Sequence, residues 1–268
     1  MPDRGAIPLG PGQLAIAAAL VVIAGGVSVA LRLGLEKKLG VAALRTVVQL
    51  LLVGYVLEWV FRIEQPVVLA GVLLVMTAAA GRAAVQRSSR SFAGARLGAF
   101  FTLVLTGLST TFTVTAIIVG VRPWYHAQYV IPLLGMVLGN SLTGVSLALD
   151  SLLTDLDEHK DRVEMELSLG ATRWEAARDP LSQAVRRGMI PILNSMTVVG
   201  IVSLPGMMTG QILEGASPLA AVKYQIVVMF MLAASTSLGS MGVALYVFRR
   251  LFNDRHQLRA ERITRSKG

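Results

Sequence analysis

The sequence predicts an all-α integral membrane protein with seven transmembrane helices, an outside N-terminus and a cytoplasmic C-terminus. Three observations lead to this fold class. Apolar runs of transmembrane length repeat along the chain, one charged and helix-prone segment separates them, and Lys and Arg residues are unevenly distributed between alternate loops. Hydrophobic residues make up 54% of the 268-residue chain, so their order decides between a large soluble core and membrane spans.

Six uninterrupted runs contain no Asp, Glu, Lys or Arg, and they are 17 to 27 residues long. A membrane core needs about 20 apolar residues per helix, whereas soluble helices carry charges on one face. These runs predict spans at about 11–31, 66–81, 97–121, 129–149, 189–211 and 221–248.

A seventh span is predicted at 40–61, although Arg45 and Glu58 lie inside it. Each is within about 8 Å of an end of the span, so both side chains can snorkel to the membrane surface. The first span ends in Ser28-Val29-Ala30, which resembles a signal-peptidase site. Because the residues before it are not basic and the apolar run is too long for a signal peptide, we expect this helix to be retained.

The positions of the basic residues predict the orientation. Of the 25 Lys and Arg residues, 20 fall in segments that are cytoplasmic if the N-terminus is outside; the outer segments hold only Arg4, Arg62, Arg122 and Lys223. Cytoplasmic loops of membrane proteins are enriched in these residues. The net charge of +9 therefore reflects contact with the lipid bilayer. No nucleic-acid binding is expected, because no aromatic residues alternate with the basic ones.

The charged segment at about 150–188 predicts two short helices. Apolar residues follow helical spacing on both sides of Gly170, and the Gly170-Ala171-Thr172 sequence is typical of a bend. Pro180 is expected to end or kink the second helix. One interpretation is an amphipathic hairpin on the lipid headgroups. The acidic first half favours a protein partner instead, because the inner leaflet is itself negative.

The stretch "EMELSLGATRWEAARDP" resembles the cytoplasmic coupling motif of ABC-transporter permeases, in which a Glu precedes a Gly by six residues. Glu164 and Gly170 have that spacing, although Met165 and Glu166 replace the usual Ala residues. With "LRTVVQLLLVGYVLEWVF" at 44–61, "PLLGMVLGNSL" at 132–142 and "NSMTVVGIVSLPGMMTGQILEGASP" at 194–218, it resembles the FetB-type permease family. That family is implicated in iron export and has plant relatives linked to aluminium tolerance.

The resemblance implies a single transmembrane permease domain over 1–268, with a cytoplasmic coupling helix-turn-helix between helices 5 and 6 and a basic cytoplasmic tail at 249–268. It implies a homodimer in the bacterial inner membrane, working with a separate cytoplasmic ABC ATPase subunit that holds ATP and Mg. The chain contains no G-x-x-x-x-G-K-[ST] motif, so we expect a transport subunit and not an enzyme. The residues expected to couple to the ATPase are Glu164, Glu166, Gly170, Ala171, Thr172 and Arg173.

The function indicated is export of iron or another metal-related solute. An ion-coupled secondary transporter is one alternative, but it would need a carboxylate within the membrane, and only Glu58 comes near. A non-transport scaffold or receptor is the other. The tail itself is expected to be a flank that continues the seventh helix.

Polar residues inside spans are costly and often functional. Candidates for the transport path are Arg45, Gln49, Asn140, Asn194, Tyr224 and Gln225, together with Met207, Met208 and Gln211 in the longest outer loop. Structural roles compete with each of these: snorkelling for Arg45, interhelical hydrogen bonds for the Asn residues, interfacial anchoring for Tyr224 and packing for the Met residues. The three His residues lie far apart in the sequence, so no metal ligands are assigned.

Overall fold

The computed structural model describes residues 10–63 and 65–265, and most of these residues are helical. The α-helices are α1 Pro11–Ala30, α2 Glu36–Ile63, α3 Pro66–Gln86, α4 Ala95–Phe112, α5 Ala127–Glu158, α6 Lys160–Ser168, α7 Arg173–Val198, α8 Gly206–Leu213 and α9 Pro218–Leu251. A π-helical turn, Thr113–Ile118, extends α4, and a 3-10 turn lies at Ala260–Arg262. Two short strands, β1 Arg90–Ser91 and β2 Thr264–Arg265, form an antiparallel pair.

Six helices in the described part of the chain are long and apolar enough to cross a membrane. They are α1, α2, α3, α4 with its π-helical turn, α5 and α9. Each coincides with one of the predicted spans, because a continuous apolar run of about 20 residues has few alternatives to a helix in lipid.

The predicted span at 189–211 is not one helix. α7 begins in the charged segment, continues through Pro180 and Pro191, and ends at Val198. The chain then turns at Gly200, which has a φ of +83° and donates its N–H to the carbonyl oxygen of Ser203 at 2.9 Å. α8 follows after Pro205. Gly and Pro interrupt the helix here, whereas Pro180, which was expected to end or kink α7, lies inside it and does not end it.

The core of the bundle is formed where α5, α7 and α9 pack together. Gly144 of α5 and Gly188 of α7 face each other so closely that a methyl group on Gly188 would lie 2.7 Å from the Gly144 carbonyl oxygen. Ser141 of α5 and Ser235 of α9 share a hydrogen bond of 2.7 Å. Small residues thus let the three backbones approach, which is typical of membrane helix packing.

α1 and α2 lie at the edge of the bundle. Among the described residues, α1 buries only Ser28 and α2 only Val60. The Ser28 hydroxyl accepts a hydrogen bond from the Leu35 N–H at 3.0 Å and holds the turn between the two helices. The apolar surfaces of both helices are otherwise open, as expected for helices in contact with lipid.

α5 extends well beyond its predicted end at residue 149. It runs through the acidic first half of the charged segment to Glu158. Buried Arg90 donates to Asp157 at 2.7 Å and to Glu158 at 2.8 Å. Asp150 accepts from the Ser89 N–H at 2.7 Å. Asp150, Asp157 and Glu158 therefore have partners within the chain, which weakens their charge as evidence for a protein partner.

The C-terminal tail does not continue the last helix as expected. α9 ends at Leu251, and an isolated bridge between Phe252 and Leu258 turns the chain back. Leu258 is buried in the main core cluster, and the tail ends in β2, which pairs with β1. The burial of Leu258 and the pairing with β1 supply the contacts that a free helical extension would lack.

Candidate functional site

The clearest candidate site is the elbow, defined as residues 160–175: α6, the bend and the first residues of α7. The bend lies at Gly170, as predicted, with a φ of +96°. This backbone conformation favours glycine, because a Cβ would be strained there. The Gly170 and Ala171 N–H groups donate to the carbonyl oxygens of Leu167 and Glu166, both at 3.1 Å. These bonds close the C-terminus of α6.

Thr172 and Glu175 fix the start of α7. The Thr172 hydroxyl accepts from the Glu175 N–H at 3.3 Å, and the Glu175 carboxylate accepts from the Thr172 N–H at 2.8 Å. This reciprocal capping box satisfies backbone donors that a helix N-terminus leaves free. The predicted coupling residue Thr172 therefore has a structural role in the elbow.

Hydrogen bonds that Thr172 donates to the carboxylate, from its N–H at 2.8 Å and its hydroxyl at 2.7 Å, lower the pKa of Glu175. The larger cause is the Thr172 backbone N–H, followed by the Thr172 hydroxyl, since both stabilise the ionised carboxylate. Because the pKa is lower in the folded state, the ionised carboxylate stabilises the fold, and this stabilisation is fully present above the carboxyl's unfolded pKa. It is lost as the pH falls through the lower, folded value. The cap of α7 is therefore intact at neutral pH and weakens in acid.

The tip of the elbow is apolar and exposed. Leu169, next to Gly170, is 80% exposed, and Met165 and Trp174 are about half-exposed. A Cβ on Gly170 would meet no atom within 4 Å. Apolar side chains clustered on a projecting tip are typical of an interaction site.

The charges predicted to contact a partner are mostly paired within the chain. Arg162 donates to Glu166 at 3.1 Å and to Asp179 at 3.0 Å, which raises the pKa of Arg162. Arg173 donates to Asp254 of the tail at 2.6 Å. Of the predicted charges, only Glu164 forms no ion pair or hydrogen bond within the described residues.

The tail holds the elbow from one side. The His256 ring Nδ1 accepts a hydrogen bond from the Arg173 backbone N–H at 2.9 Å, next to the Arg173–Asp254 ion pair. Between α6 and the tail lies an open groove of about 980 Å³, and Glu164 and Ser168 line its α6 side. No local pattern predicts the contacts made by Asp254 and His256, because these residues are more than 80 positions from Arg173.

A second candidate region is the break, defined as residues 199–205 between α7 and α8. Val199 and Met207 pack against a cluster that contains Leu133 and Val228. Leu133 lies six residues after the start of α5, and Val228 lies ten residues after the start of α9, which is about 9 and 15 Å along the helices. The break therefore lies within the length of these spans and not beyond them.

The structure places the predicted path residues in three groups. Arg45 and Gln49 are exposed on α2, away from the bundle core. Asn140 is half-buried and donates to the Met136 carbonyl of its own helix at 3.0 Å, while Asn194 is exposed. The others lie on α8 and on the adjacent first turns of α9: Met207, Met208, Gln211, Tyr224 and Gln225.

Gln225 is the only fully buried member of this group. It is only 6% exposed, and its side-chain oxygen has no hydrogen-bond partner within the described residues. Gln225 lies three residues before Val228, and Val228 belongs to the cluster against which Met207 packs. A buried amide oxygen without a partner is costly, so this position is the strongest of the predicted path residues. Within the described residues, the side-chain oxygen of Gln211 and the hydroxyls of buried Thr111, Thr236 and Ser240 also lack hydrogen-bond partners. The Thr and Ser residues were not predicted from the sequence.

Comparison with known proteins identifies the family. The model of "Uncharacterised protein family (UPF0014)" matches residues 11–252, which is most of the chain and contains both the elbow and the break.

The chain belongs to the UPF0014 family.

Three relatives illustrate the family. The Bacillus subtilis UPF0014 membrane protein YjkA is 35% identical over 92% of this chain and 97% of its own length. The Escherichia coli protein named "Probable iron export permease protein FetB" is 35% identical over 92% of this chain and 93% of its own length. The Arabidopsis thaliana "Protein ALUMINUM SENSITIVE 3" is 33% identical over 92% of this chain and 90% of its own length. No solved structure gives a significant match.

These relatives confirm the resemblance to FetB-type permeases that was predicted from the sequence. Together with the six long apolar helices, family membership makes the chain a multi-pass membrane protein.

Proposed function

We propose that this chain is the membrane subunit of an ABC transporter that exports iron or a related metal ion. In this proposal the elbow faces the cytoplasm and docks on a separate ATPase subunit, which holds ATP and Mg and performs the hydrolysis. The chain itself catalyses no reaction. The observation that carries the proposal is the exposed apolar tip at Leu169 and Gly170, on a short helix-bend-helix.

The geometry of the elbow suits insertion into a partner groove. Gly170 has no side chain, so the partner backbone can approach closely, and Leu169 supplies an apolar anchor at the tip. Because Glu166 and Arg173 are already paired within the chain, they fix the shape of the elbow and do not contact the ATPase. Glu164 has no charged partner among the described residues, and we assign it to a charge-assisted contact with the ATPase.

α7 supplies a direct mechanical link from the elbow to the break. It is 26 residues long, about 39 Å of continuous helix, with the elbow at one end and the break at the other. The close contact between Gly144 and Gly188 ties α7 to α5 near its middle. A displacement of the elbow during the nucleotide cycle would therefore move α5 and α7 together and change the packing around the break.

The region beside the break is the proposed transport path. Interrupted helices in transporters often mark the binding site, because unwound backbone and helix ends provide polar groups within the membrane. Here Gln225 presents a buried oxygen that has no hydrogen-bond partner among the described residues, and Met207 brings a soft thioether to the cluster that contains Val228. No cluster of three or more His, Cys, Asp or Glu residues exists in the described ranges. We therefore propose weak, transient metal contacts, which favour release during export.

The choice of iron is carried over from one relative, the E. coli protein named a probable iron export permease. The same relative supports a location in the bacterial inner membrane. We further propose a homodimer, because the break exposes apolar residues that need a protein cover, as argued below.

Reconstitution with the cognate ATPase in liposomes tests the proposal. We expect ATP-dependent movement of Fe²⁺ only when both subunits are present. In L169E, a charge replaces the exposed anchor without altering an internal contact. Apolar anchors at an interface are worth ~2 kcal/mol or more, so we expect ATPase affinity to fall at least about tenfold, with a matching loss of transport.

The control is L33E, which places the same charge on an exposed Leu in the loop between α1 and α2. We expect it to bind the ATPase and transport as the wild type does. Iron movement by the purified chain alone, or identical behaviour of L169E and L33E, would contradict the proposal.

A further inference from the structure

A separate groove lies between α7 and α9, on a side of the bundle that the proposed function does not use. It encloses about 400 Å³, and apolar side chains form most of its wall. Leu181 and Val185 of α7 form one side of the groove, and Met241 and Leu245 of α9 form the other. Met241 and Leu245 are partly exposed, so the groove is open along its length.

Polar residues along one stripe of α7 mark the groove at regular intervals. Trp174, Arg178, Ser182 and Arg186 all line it, and they are spaced four residues apart. Residues four apart in a helix lie on the same face, about 6 Å from one another along the axis. Arg178 and Arg186 therefore flank the Ser182 hydroxyl by one turn on each side.

These two Arg residues have no partners in the part of the chain that the structure describes. Neither forms an ion pair or a hydrogen bond within residues 10–63 and 65–265, although the next residue after Arg178, Asp179, is paired with Arg162. Two exposed Arg residues one helical turn on either side of Ser182, along an apolar groove, suit an anionic ligand. Because the walls are apolar, that ligand must also carry a hydrocarbon part.

One end of the groove lies at the level expected for a lipid headgroup. Leu245 is one turn, and Met241 two turns, before Arg249 and Arg250, which end α9. The Trp174 ring contacts Phe248 at 5.5 Å between ring centroids, which places Trp174 at the same level. Trp residues commonly lie at the membrane–water interface. In the predicted orientation this is the cytoplasmic leaflet, which carries the anionic lipids.

We propose that this groove binds one anionic phospholipid. The phosphate lies beside Ser182 between Arg178 and Arg186, and an acyl chain runs along Val185, Met241 and Leu245. Basic pockets between membrane helices on the cytoplasmic side bind such headgroups. The site shares Trp174 with the end of the elbow, but it involves neither Leu169 nor the transported solute.

Quenching of Trp174 by brominated lipids tests the site directly. The chain has three Trp residues, so W59F/W124F leaves Trp174 as the only reporter. The protein is reconstituted with brominated phosphatidylglycerol or brominated phosphatidylcholine at equal, low mole fractions. With two Arg residues at the membrane surface, we expect a preference for phosphatidylglycerol of roughly tenfold or more.

Variants R178Q and R186Q, in the same background, should each lower that preference by about fivefold. R96Q removes an exposed Arg at the start of α4, away from the groove, and should leave it unchanged. All three Arg positions are exposed, so the variants should fold. The lipid preference of the single-Trp protein tests the proposal even without them.

Each contrary result identifies another occupant. Equal quenching by the two lipids would mean that no anionic lipid is selected. A preference abolished by inorganic phosphate would indicate a site for the free anion. Protection of Trp174 from both lipids would indicate that a second copy of the chain covers the groove. Any of these outcomes would overturn the proposal.

Discussion

At the residue scale, the contact between Gly144 and Gly188 determines how closely α5 and α7 approach. A methyl group on Gly188 would lie 2.5 Å from the Ser240 hydroxyl oxygen and 2.7 Å from the Gly144 carbonyl oxygen. The carbonyl belongs to a rigid helix backbone and cannot rotate away. The two helices would have to separate to admit even one carbon atom.

G188A is therefore expected to destabilise the protein. Overpacking of this kind costs about 1–3 kcal/mol, and each kcal/mol lowers the melting temperature of a chain of this size by about 2–4 °C. We expect a clear fall in Tm, measured by the intrinsic fluorescence of the detergent-solubilised protein.

The control for this prediction is G139A, on the same helix as Gly144. A Cβ on Gly139 meets no atom within 4 Å, and Ala is the better helix former by about 1 kcal/mol. Its Tm should be unchanged or slightly higher. A Tm for G188A equal to that of G139A would mean that the three helices are not in backbone contact.

Some of these residues could be identified from the sequence and others could not. Gly170 was predictable, because a glycine between two amphipathic segments indicates a bend. Arg90 was counted only as a loop charge, yet it is buried and paired with Asp157 and Glu158. That pairing spans more than 60 residues and has no local signature, so only the fold reveals it.

At the element scale, the tail is the part of the chain whose structure differs most from its prediction. Its basic composition indicated a helical flank, but Leu258 is buried in the core and β2 pairs with β1. These contacts join the elbow, through Arg173, to the connection between α3 and α4. The tail therefore restrains the elbow on the side where the groove of about 980 Å³ opens.

D254N/H256A is expected to loosen the tail. It removes the ion pair to the Arg173 side chain and the acceptor for the Arg173 N–H. An exposed ion pair contributes about 0–1 kcal/mol and a hydrogen bond about 1 kcal/mol, so local opening should rise several-fold. Limited trypsin digestion at Arg255 and Arg259, followed by mass spectrometry, measures this as faster cleavage.

E261Q provides the comparison for the tail, because Glu261 lines the same groove but makes no ion pair or hydrogen bond within the described residues. It should be cleaved at the wild-type rate. If both variants are cleaved alike, the contacts of Asp254 and His256 do not hold the tail in place.

Elements with a continuous apolar run were predicted well, and elements that depend on tertiary contacts were not. α5 was expected to end at residue 149, where its charges begin, but those charges are paired and the helix continues to Glu158. The span at 189–211 was expected to be continuous because its residues are apolar. Hydropathy reports the environment of a segment, whereas the break depends on the backbone of Gly200 and Pro205.

At the scale of the whole molecule, the break raises the question of what surrounds it. Ile201 is 88% exposed and Val202 is 79% exposed, yet the break lies within the length of the neighbouring spans. Irregular backbone does not face lipid directly, because its polar groups would have no partners. Another protein surface must therefore cover the outer side of the break, and a second copy of the chain supplies one in the proposed homodimer.

Cross-linking in native membranes tests this arrangement. The chain contains no Cys, so I201C introduces a single thiol. In a two-fold dimer the same patch of both subunits forms the interface, so the two thiols would lie close together. We expect a short bifunctional maleimide to link I201C into dimers at low expression. L20C, on the exposed surface of α1, should remain monomeric, because that helix is expected to face lipid. Equal cross-linking of both variants would reflect random collision and would remove the break from the dimer interface.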